Sequence, residues 1–277
     1  MSDLSESEAL AEYVWRTYLT TGIAPKEAHP HWAEAKSLRL LARRLPREPR
    51  CKVCHYPFEG VGGLIARTVA GIKPSEMNPQ LCNICERFAQ KNYGGAEVEL
   101  SMLFADVRGS TTIAENMSPL EFSKLINRFY KAATHALYDS GAMVEKMIGD
   151  EVAGLFVPGI AGRQHARKAV DAARAILVAT GHSNASGPWV AVGIGVHTGI
   201  AYVGSVSSEG ITDITALGDS VNTAARLASQ AGPGEVIVSD ESARDAGLLT
   251  EGLSARKLQL KGRSEPVNTW VIEVKPG

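Results

Sequence analysis

The sequence predicts an α+β sandwich, in which helices pack on a mixed or antiparallel sheet. Two observations lead to this class. A strand-like run, "VELSMLFADV", is followed by a helix that begins after Ser118. Two further apolar runs meet at the pair Gly149-Asp150, and such a pair between apolar segments marks a hairpin. Strands that are joined both by helices and by hairpins are typical of this fold class.

The length and charge of the chain set its organisation. With 277 residues it can form one large domain and a smaller module. The segment "KNYGGAEVEL" indicates the junction, so we expect a mostly helical module over residues 1–95 and the α+β domain over residues 96–277. Lysine and arginine total 29 against 30 aspartates and glutamates. This balance predicts no nucleic-acid partner and no bulk binding to anionic membranes.

The hydropathy pattern predicts no membrane span. No run approaches the roughly 18 consecutive apolar residues of a spanning helix. The acidic start, "MSDLSESEAL", has the features of neither a signal peptide nor a basic transit sequence. A cytoplasmic protein is therefore expected.

The N-terminal module contains two helical patterns. Ser5 and Glu8 form a capping-box signature at the first of them. Apolar residues follow at helical spacing: Leu10, Val14 and Tyr18. A second periodic set, Leu38, Leu41 and Leu45, stops before Pro46. Two amphipathic helices are therefore expected ahead of the cysteines.

The α+β domain begins with a βα unit. Ser118, Pro119 and Glu121 are typical of a helix start. One apolar face then recurs at helical spacing: Phe122, Leu125, Phe129, Ala133 and Leu137. The hairpin follows, with Asp150 at its tip, and an alanine-rich helix is expected over roughly residues 161–180.

The last third of the chain returns to strands. The segment "WVAVGIGVHTGIAYVGSVS" predicts two strands with a break near Thr198-Gly199. Helical character resumes in "DSVNTAARLASQA", and closing strands are expected around residues 236–238 and 270–272. No internal repeat is evident.

The only cysteines form two C-x-x-C pairs: Cys51, Cys54, Cys82 and Cys85. In a reducing compartment such pairs favour metal binding over disulfides. Residues 55–81 separate the pairs, a longer spacer than the roughly 15–20 residues of simple zinc ribbons. Structural Zn²⁺ is the favoured interpretation, and an iron–sulfur cluster is the alternative. The run "CKVCH" also fits c-type haem attachment, but the second pair lacks the histidine and no export signal is present.

Two aspartates occupy positions that suit a divalent cation. Asp106 stands at a strand end, ahead of Gly109 and a run of small hydroxyl residues, where backbone N–H groups favour anions. If the strand of Asp106 neighbours the hairpin, Asp106 and Asp150 converge as two ligands for Mg²⁺ or Mn²⁺. Taken singly, a turn aspartate is more often a turn former than a ligand. Their shared setting favours a metal-held polyphosphate.

Other candidate motifs are weaker. The run "GIGVHTG" is not a dinucleotide fingerprint, because Thr198 stands where the third glycine is required and a strand follows. Four histidines show no spacing typical of a zinc or catalytic site: His135, His165, His182 and His197. Packed or solvated roles are expected for them.

Five segments together resemble class III nucleotide cyclase domains: "LFADVRGST", "EKMIGDEVAGLF", "GIGVHTG", "ALGDSVNTAARL" and "LKG". Their order and spacing match the family over roughly residues 97–275, whereas the N-terminal third lies outside the resemblance. The resemblance implies a ferredoxin-like sandwich and a homodimer with two composite, head-to-tail sites. It also implies conversion of ATP to 3′,5′-cyclic AMP and pyrophosphate, with two Mg²⁺ or Mn²⁺ ions per active site.

The resemblance also implies roles for individual residues. Asp106, Asp150 and the carbonyl of Val107 match the metal ligands. The phosphate-binding turn matches residues 108–112, including Gly109, Ser110 and Thr111. From the partner subunit, Asn222 matches the residue that orients the ribose, Arg226 the one that stabilises charge at the reacting phosphate, and Lys261 the one that contacts the terminal phosphates.

Base choice is implied for Lys146 and Thr215, which match the purine-recognition pair. A lysine donor and a threonine hydroxyl suit adenine, whereas guanylate cyclases usually place glutamate and cysteine there. Many family members carry aspartate at the position of Thr215, so the pair resembles the bacterial-type and bicarbonate-responsive adenylate cyclases. The alternatives are a guanylate cyclase or a pseudo-cyclase that binds nucleotide without turnover. The position of the cysteine module ahead of the domain predicts that it regulates activity.

Overall fold

The computed structural model describes residues 5–25, 49–208, 211–261, 263 and 265–275. The periodic set Leu38, Leu41 and Leu45, with the helix predicted there, lies outside these residues. In chain order the described elements are α1 (Glu6–Thr21), α2 (Gly60–Ala70), α3 (Asn83–Lys91), β1 (Gly95–Val107), α4 (Ser110–Glu115), α5 (Pro119–Ser140), β2 (Met143–Ile148), β3 (Glu151–Phe156), α6 (Pro158–Ala161), α7 (His165–Ala179), β4 (Val192–Ser208), β5 (Ile211–Leu217), α8 (Asp219–Gln230), β6 (Glu235–Ser239), α9 (Asp240–Asp245), β7 (Ser254–Leu258) and β8 (Val267–Glu273).

The chain divides into two compact units. The first comprises Met1–Val98, Val157–Gly162 and Ala201–Leu217, and the second comprises Glu99–Phe156, Arg163–Ile200 and Gly218–Gly277. Strands β1 and β4 begin in one unit and end in the other. Each unit therefore draws on segments that are distant in sequence.

The first unit is mostly helical and contains the cysteines. Helix α1 begins with the predicted capping box of Ser5 and Glu8. Trp15 and Tyr18 are fully buried on one face of α1, and the Trp15 ring lies 5.0 Å from that of Phe88 in an edge-on contact. The Trp15 Nε1–H donates to the carbonyl of Asn92 at 2.7 Å. These contacts attach α1 to the end of α3, which begins at the second cysteine pair.

The second unit is built on a mixed sheet with helices packed on it, as the predicted α+β class requires. Among the described residues the strand order is β2-β3-β1-β4-β6-β8-β7, and β5 pairs only with β4. Strand β3 pairs antiparallel with β1 and β2, β8 pairs antiparallel with β6 and β7, and β5 pairs antiparallel with β4, whereas β4 and β6 are parallel over residues 194–196. Strands β2 and β3 form the predicted hairpin about Gly149-Asp150. This hairpin lies beside β1, whose end carries Asp106.

Local sequence explains the helices of the second unit. Helix α5 begins with the predicted capping box of Ser118 and Glu121, with Pro119 in its first turn, and ends at Gly141 in the left-handed conformation. Its apolar face buries Phe129, Ala133 and Leu137 completely or nearly so. The alanine-rich helix is confirmed as α7. No helix among the described residues is both long and apolar enough to cross a membrane.

The predicted break near Thr198-Gly199 is wrong, because β4 runs without interruption from Val192 to Ser208. Its first half pairs with β6 and its second half with β5. Gly199 serves close packing instead of a turn, since a Cβ there would lie only 2.5 Å from Ser220 Oγ. Glycine within a strand can mark such an approach as well as a turn. The pairing strand β5 and the edge strand β7 were not anticipated.

Candidate functional site

The structure brings Asp106 and Asp150 together. Strand β1 pairs with β3 so that Asp106 lies opposite Glu151, and Asp150 immediately precedes Glu151 at the hairpin tip. The backbone N–H of Val107 donates to the carbonyl of Asp150 at 3.1 Å. Tyr130 Oη holds the same turn by donating to the carbonyl of Gly149 at 2.8 Å. The convergence that the sequence left open therefore results from the β1–β3 register.

The charges around this pair are strongly coupled. Burial raises the pKa of Asp106, the Arg108 guanidinium counteracts that rise, and the nearby Asp150 carboxyl adds to it. Burial also raises the pKa of Glu151, with further contributions from Asp106 and Asp150 that Lys146 partly offsets. Carboxylates that are gathered in this way repel one another, and a divalent cation with oxygen ligands relieves the repulsion. The donor set therefore fits Mg²⁺ or Mn²⁺.

Arg108 is a site residue that sequence reasoning did not single out. Its Nη2 lies 2.5 Å from Asp106 Oδ2. Its Nη1 donates to the carbonyls of Ser229 at 3.2 Å and Ala231 at 3.4 Å. Arg108 thus links the carboxylate pair to the C-terminal end of α8. The sequence around Arg108 does not predict this link, because Ser229 and Ala231 are more than 100 residues away from Arg108.

The turn after Asp106 exposes small hydroxyl side chains. Gly109 has φ 68°, in the left-handed region that favours glycine, and helix α4 begins at the next residue. Ser110 is half-buried, whereas Thr111 and Thr112 are exposed. The chain reverses direction directly beside the carboxylates, so this turn is accessible to a ligand held there.

Helix α8 presents Asn222 and Arg226 on one face. The opposite face packs inward through five buried residues: Val221, Thr223, Ala224, Leu227 and Ala228. Asn222 is exposed and Arg226 half-buried, as the i, i+4 spacing predicts. Among the described residues of the single chain, neither side chain forms a hydrogen bond or ion pair with Asp106 or Asp150.

The turn that carries Lys261 is attached to α8. Arg263 Nη1 donates to Thr223 Oγ1 at 3.1 Å, and its Nη2 lies 3.3 Å from Asp219 Oδ2. Lys261 itself is exposed. Arg263 therefore anchors this turn on the first turns of α8, a role that sequence reasoning missed.

The two residues of the predicted purine-recognition pair lie on different strands. Lys146 is on β2, with its side chain 35% exposed and its Nζ 3.4 Å from Glu145 Oε2. Thr215 is on β5, half-buried, in register with Gly204 of β4. Lys146 belongs to the second unit and Thr215 to the first.

The four cysteines of the first unit form one cluster. All are buried, and their Sγ atoms lie within 4.8 Å of one another, with Cys54 and Cys82 separated by 3.6 Å. Cys82 Sγ accepts the backbone N–H of Cys85 at 3.4 Å, and Cys51 Sγ accepts that of Cys82 at 3.3 Å. Backbone donors aimed at sulfur are typical of loops that hold metal-bound thiolates.

The thiols of this cluster cannot ionise independently. Burial raises the pKa of Cys54 well above its ordinary value, and Cys51 and Cys82 raise it further, whereas Cys85 lowers it. The neighbouring thiols, and burial after them, raise the pKa of Cys85 in the same direction. Burial opposes ionisation of Cys51 too, but hydrogen bonds from the other three thiols outweigh it and hold the pKa of Cys51 well below its usual range. Ionisation of all four thiols would require a bound cation to compensate their charge.

The four histidines considered in the sequence have hydrogen-bond or ion-pair partners outside both sites. His165, His182 and His197 are buried and hydrogen-bonded, to Ser101, Thr180 and Ser239 respectively. His135 is exposed and faces Asp139. Packed or solvated roles were expected, and the structure agrees.

A mixed sheet with helices packed on it, and two carboxylates where β1 meets a hairpin, are the features of a class III nucleotide cyclase domain. The profile of the family described as "Adenylate and Guanylate cyclase catalytic domain" matches residues 94–274. The chain belongs to this family and carries the catalytic domain of a lyase.

Individual relatives agree with this assignment. The chain is 29% identical to the adenylate cyclase of Anabaena cylindrica over 189 residues, which cover 63% of this chain and 36% of that protein. It is 32% identical to adenylate cyclase 1 of Rhizobium meliloti over 134 residues, which cover 47% of this chain and 20% of that protein. The chain thus spans only about a third or less of the length of these relatives.

Solved structures of both specificities share the fold. The guanylyl cyclase Cya2 superimposes with a TM-score of 0.60 at 25% identity, covering 66% of this chain and 95% of that one. The adenylyl cyclase CyaB from P. aeruginosa superimposes with a TM-score of 0.56 at 26% identity, covering 65% and 96%. Similarity alone therefore leaves the choice between ATP and GTP to the site residues.

Proposed function

We propose that this chain is an adenylate cyclase, which converts ATP to 3′,5′-cyclic AMP and pyrophosphate at composite sites of a homodimer. The observation that carries the proposal is the convergence of Asp106 and Asp150 at the meeting point of β1 and the β2–β3 hairpin. The two carboxylates come from separate segments that the β1–β3 register brings side by side. The adjacency of these two carboxylates supports a shared cation site.

Asp106, Asp150 and the carbonyl of Val107 would hold two Mg²⁺ or Mn²⁺ ions. Bound there, the ions supply positive charge that favours ionisation of the ribose 3′-hydroxyl and neutralises charge on the leaving pyrophosphate. Gly109, Ser110 and Thr111 would bind the phosphates through the turn beside Asp106. The chain itself then contributes orientation of the nucleotide and a fixed electrostatic environment, and no protein nucleophile is required.

The partner subunit would complete each site through α8 and the turn attached to it. Asn222 would orient the ribose, Arg226 would stabilise charge at the reacting phosphate, and Lys261 would contact the terminal phosphates. The exposure of Asn222 and Lys261 supports this role, because a residue that acts across a subunit interface must be accessible in the single chain. Arg263 would keep Lys261 in place relative to α8.

Adenine specificity is assigned to Lys146 and Thr215. A lysine ammonium donates to a ring nitrogen acceptor, and a threonine hydroxyl can accept from the exocyclic amino group. Neither residue is the glutamate or cysteine usual in guanylate cyclases. Guanylate cyclase activity remains the alternative, and a pseudo-cyclase is less well supported because every matched catalytic position is occupied.

The cysteine cluster is assigned to a single structural ion, Zn²⁺. Bonds of about 2.3 Å in a tetrahedral site place sulfur atoms about 3.8 Å apart. The observed spacing, within 4.8 Å for the cluster and 3.6 Å for one pair, supports this arrangement. An iron–sulfur cluster binds its thiolates to different irons and would separate them further. We assign residues 1–95 to the regulatory module that carries this ion and residues 96–277 to the catalytic domain.

Complementation tests the composite site. Asp106→Ala and Arg226→Ala chains should each be inactive alone, because each homodimer lacks part of both sites. After subunit exchange, one site in each heterodimer is intact, so an equal mixture should recover about a quarter of wild-type cyclic AMP formation. A mixture that stays inactive after confirmed exchange would contradict the shared interface.

Base selection has a separate test. Lys146→Glu with Thr215→Cys should lower kcat/KM for ATP about tenfold or more relative to GTP, since an unpaired buried recognition group costs about 1–3 kcal/mol. Lys131→Glu, which alters an exposed lysine of α5, is the matched control. If the ATP to GTP ratio is unchanged, these two positions do not recognise the base.

A further inference from the structure

Lys52 lies between the two cysteines of the first pair, and its cationic side chain is only 3% exposed. Its Nζ is 2.5 Å from Asp213 Oδ1, on strand β5. Burying an ammonium group costs several kcal/mol unless it is paired and hydrogen-bonded. The loop that supplies Cys51 and Cys54 is therefore bonded to β5 by an ion pair of a buried ammonium group.

A second contact joins the same strand to the loop between the cysteine pairs. Asn78 Nδ2 lies 3.2 Å from Asp213 Oδ1 and 3.2 Å from the carbonyl of Thr212. The Lys52 backbone N–H donates to the carbonyl of Gln80 at 2.9 Å, so the two contacting loops are bonded to each other. Both loops begin or end at a cysteine of the cluster. An ion held by the four thiolates would fix the two loops together.

Asp213 connects these two loops to the main chain of β5. Its Oδ1 also accepts the backbone N–H of Ile214 at 2.8 Å, which holds the carboxylate against its own main chain. Thr215 follows two residues later and therefore lies on the same face of β5. Asp213 and Thr215 are both half-buried, whereas Thr212, Ile214 and Ala216 of the other face are buried. The proposed base-reading residue thus shares a face with the residue that the cysteine loops hold.

We propose that Lys52 and Asp213 are positioning residues, through which the metal-bound cysteine cluster sets the placement of Thr215 and thereby the selection of adenine. This inference rests on the proposed function, since it gives Thr215 the base-reading role. The metal acts at a distance, by holding loops, and touches no substrate. Losing the ion or the ion pair should loosen nucleotide recognition and leave the chemical step largely intact.

The first test follows the strand directly in the full chain. Lys52→Met keeps the apolar stem and removes the charge, Lys52→Arg keeps the charge, and Lys73→Met removes an exposed lysine of the same unit that pairs with Glu76. Zinc content and amide hydrogen exchange over residues 211–217 are measured for each. We expect bound zinc in all three, with exchange about tenfold faster in Lys52→Met and in zinc-depleted wild type, and near wild type in Lys52→Arg and Lys73→Met.

Unchanged exchange over residues 211–217, either in Lys52→Met or after zinc removal, would overturn the proposal whatever the activity. Faster exchange in Lys73→Met as well would overturn it too, because the effect would then not depend on the Lys52–Asp213 pair.

The second test separates positioning from a merely structural contact. In Lys52→Met we expect KM for ATP to rise about tenfold with kcat within about twofold, and the preference for ATP over GTP to fall by a similar factor. Lys52→Arg should recover most of both. Faster exchange with unchanged KM and unchanged preference would mean that the ion pair is only structural, and the positioning role would be refuted.

The proposed function can fail without obscuring this result. If wild type forms no cyclic nucleotide, the cyclase proposal fails, and the binding of ATP and GTP analogues replaces kinetics. The ratio of the two affinities must then change in Lys52→Met and not in Lys73→Met. An unchanged ratio would overturn the positioning role.

Discussion

The carboxylate pair and the cysteine cluster are both candidate metal centres, and they differ in nearly every physical respect. Asp106 is part-exposed, and its negative charge is partly compensated by Arg108. The cysteines are closed off from solvent, with Cys51 and Cys82 fully buried. A centre with an open side can exchange ligands with substrate, whereas a closed tetrahedral centre retains its ion. The open carboxylate pair is therefore the candidate for turnover, and the closed cysteine cluster is the candidate for a structural ion.

The donor atoms follow the same division. Oxygen donors at the end of β1 suit hard cations that keep water or phosphate in their coordination shell. Four thiolates suit a soft or borderline ion and fill a tetrahedral site completely.

The largest expected effect concerns the carboxylate pair. Asp106→Ala and Asp150→Ala should each lower cyclic AMP formation about 1000-fold or more, because charge stabilisation at the reacting phosphate is lost. Both proteins should keep wild-type zinc content and a cooperative unfolding transition. Asp171→Ala, which removes an exposed i, i+4 pair with Arg167, is the control and should stay fully active. Near-normal activity of either site variant would refute the metal assignment.

The next largest expected effect concerns the cysteine cluster. Cys51→Ser with Cys54→Ser should abolish zinc binding and lower the unfolding temperature by about 10 °C or more, since binding energy of a structural ion is folding energy. Val53→Ala, which leaves a cavity at a buried position between these two cysteines, should lower the free energy of unfolding by about 1–3 kcal/mol but leave the ion bound. Metal content and thermal unfolding are the measurements. Retention of a full equivalent of zinc by the double variant would contradict the four-thiolate centre.

The smallest expected effect tests whether the carboxylates near Asp106 repel one another when no cation is bound. The pKa of Glu151 is raised in the folded protein, so this group stabilises folding while it is protonated, and that stabilisation is lost as pH rises through the raised pKa. In magnesium-free buffer, Glu151→Gln should therefore raise the unfolding temperature by about 2 °C at pH 8 and by less at pH 4.

Glu115→Gln, which alters an exposed glutamate of α4, should change little at either pH. If Glu151→Gln lowers stability at pH 8, the carboxylates are not mutually destabilising.

Local sequence was sufficient for much of the fold. The capping boxes at Ser5 and Ser118 and the hairpin about Gly149-Asp150 depend on residues within a few positions of one another, and all three form as predicted. The cysteine pairs predict a cluster suited to a metal, and the four thiols do converge, because the ligand type and the close spacing are themselves the signal. The family resemblance adds Asn222 and Arg226, whose role would not be evident from spacing alone.

Tertiary structure decided the features that depend on register and distant contacts. The continuity of β4 through Gly199 follows from its pairing with β6 and β5, which the glycine itself cannot reveal. The charge balance at Asp106 depends on Arg108, which is held by the far end of α8, and on the β1–β3 register that brings Glu151 opposite.

The Lys52–Asp213 contact joins residues that are far apart in sequence but adjacent in the folded first unit. Hydrogen-bonding propensity and side-chain periodicity act over three or four residues. The amino-acid sequence alone therefore determines helices, turns and closely spaced ligand pairs. Strand register and long-range ion pairs are selected by the packing of the whole core, so only the folded molecule determines which charges meet.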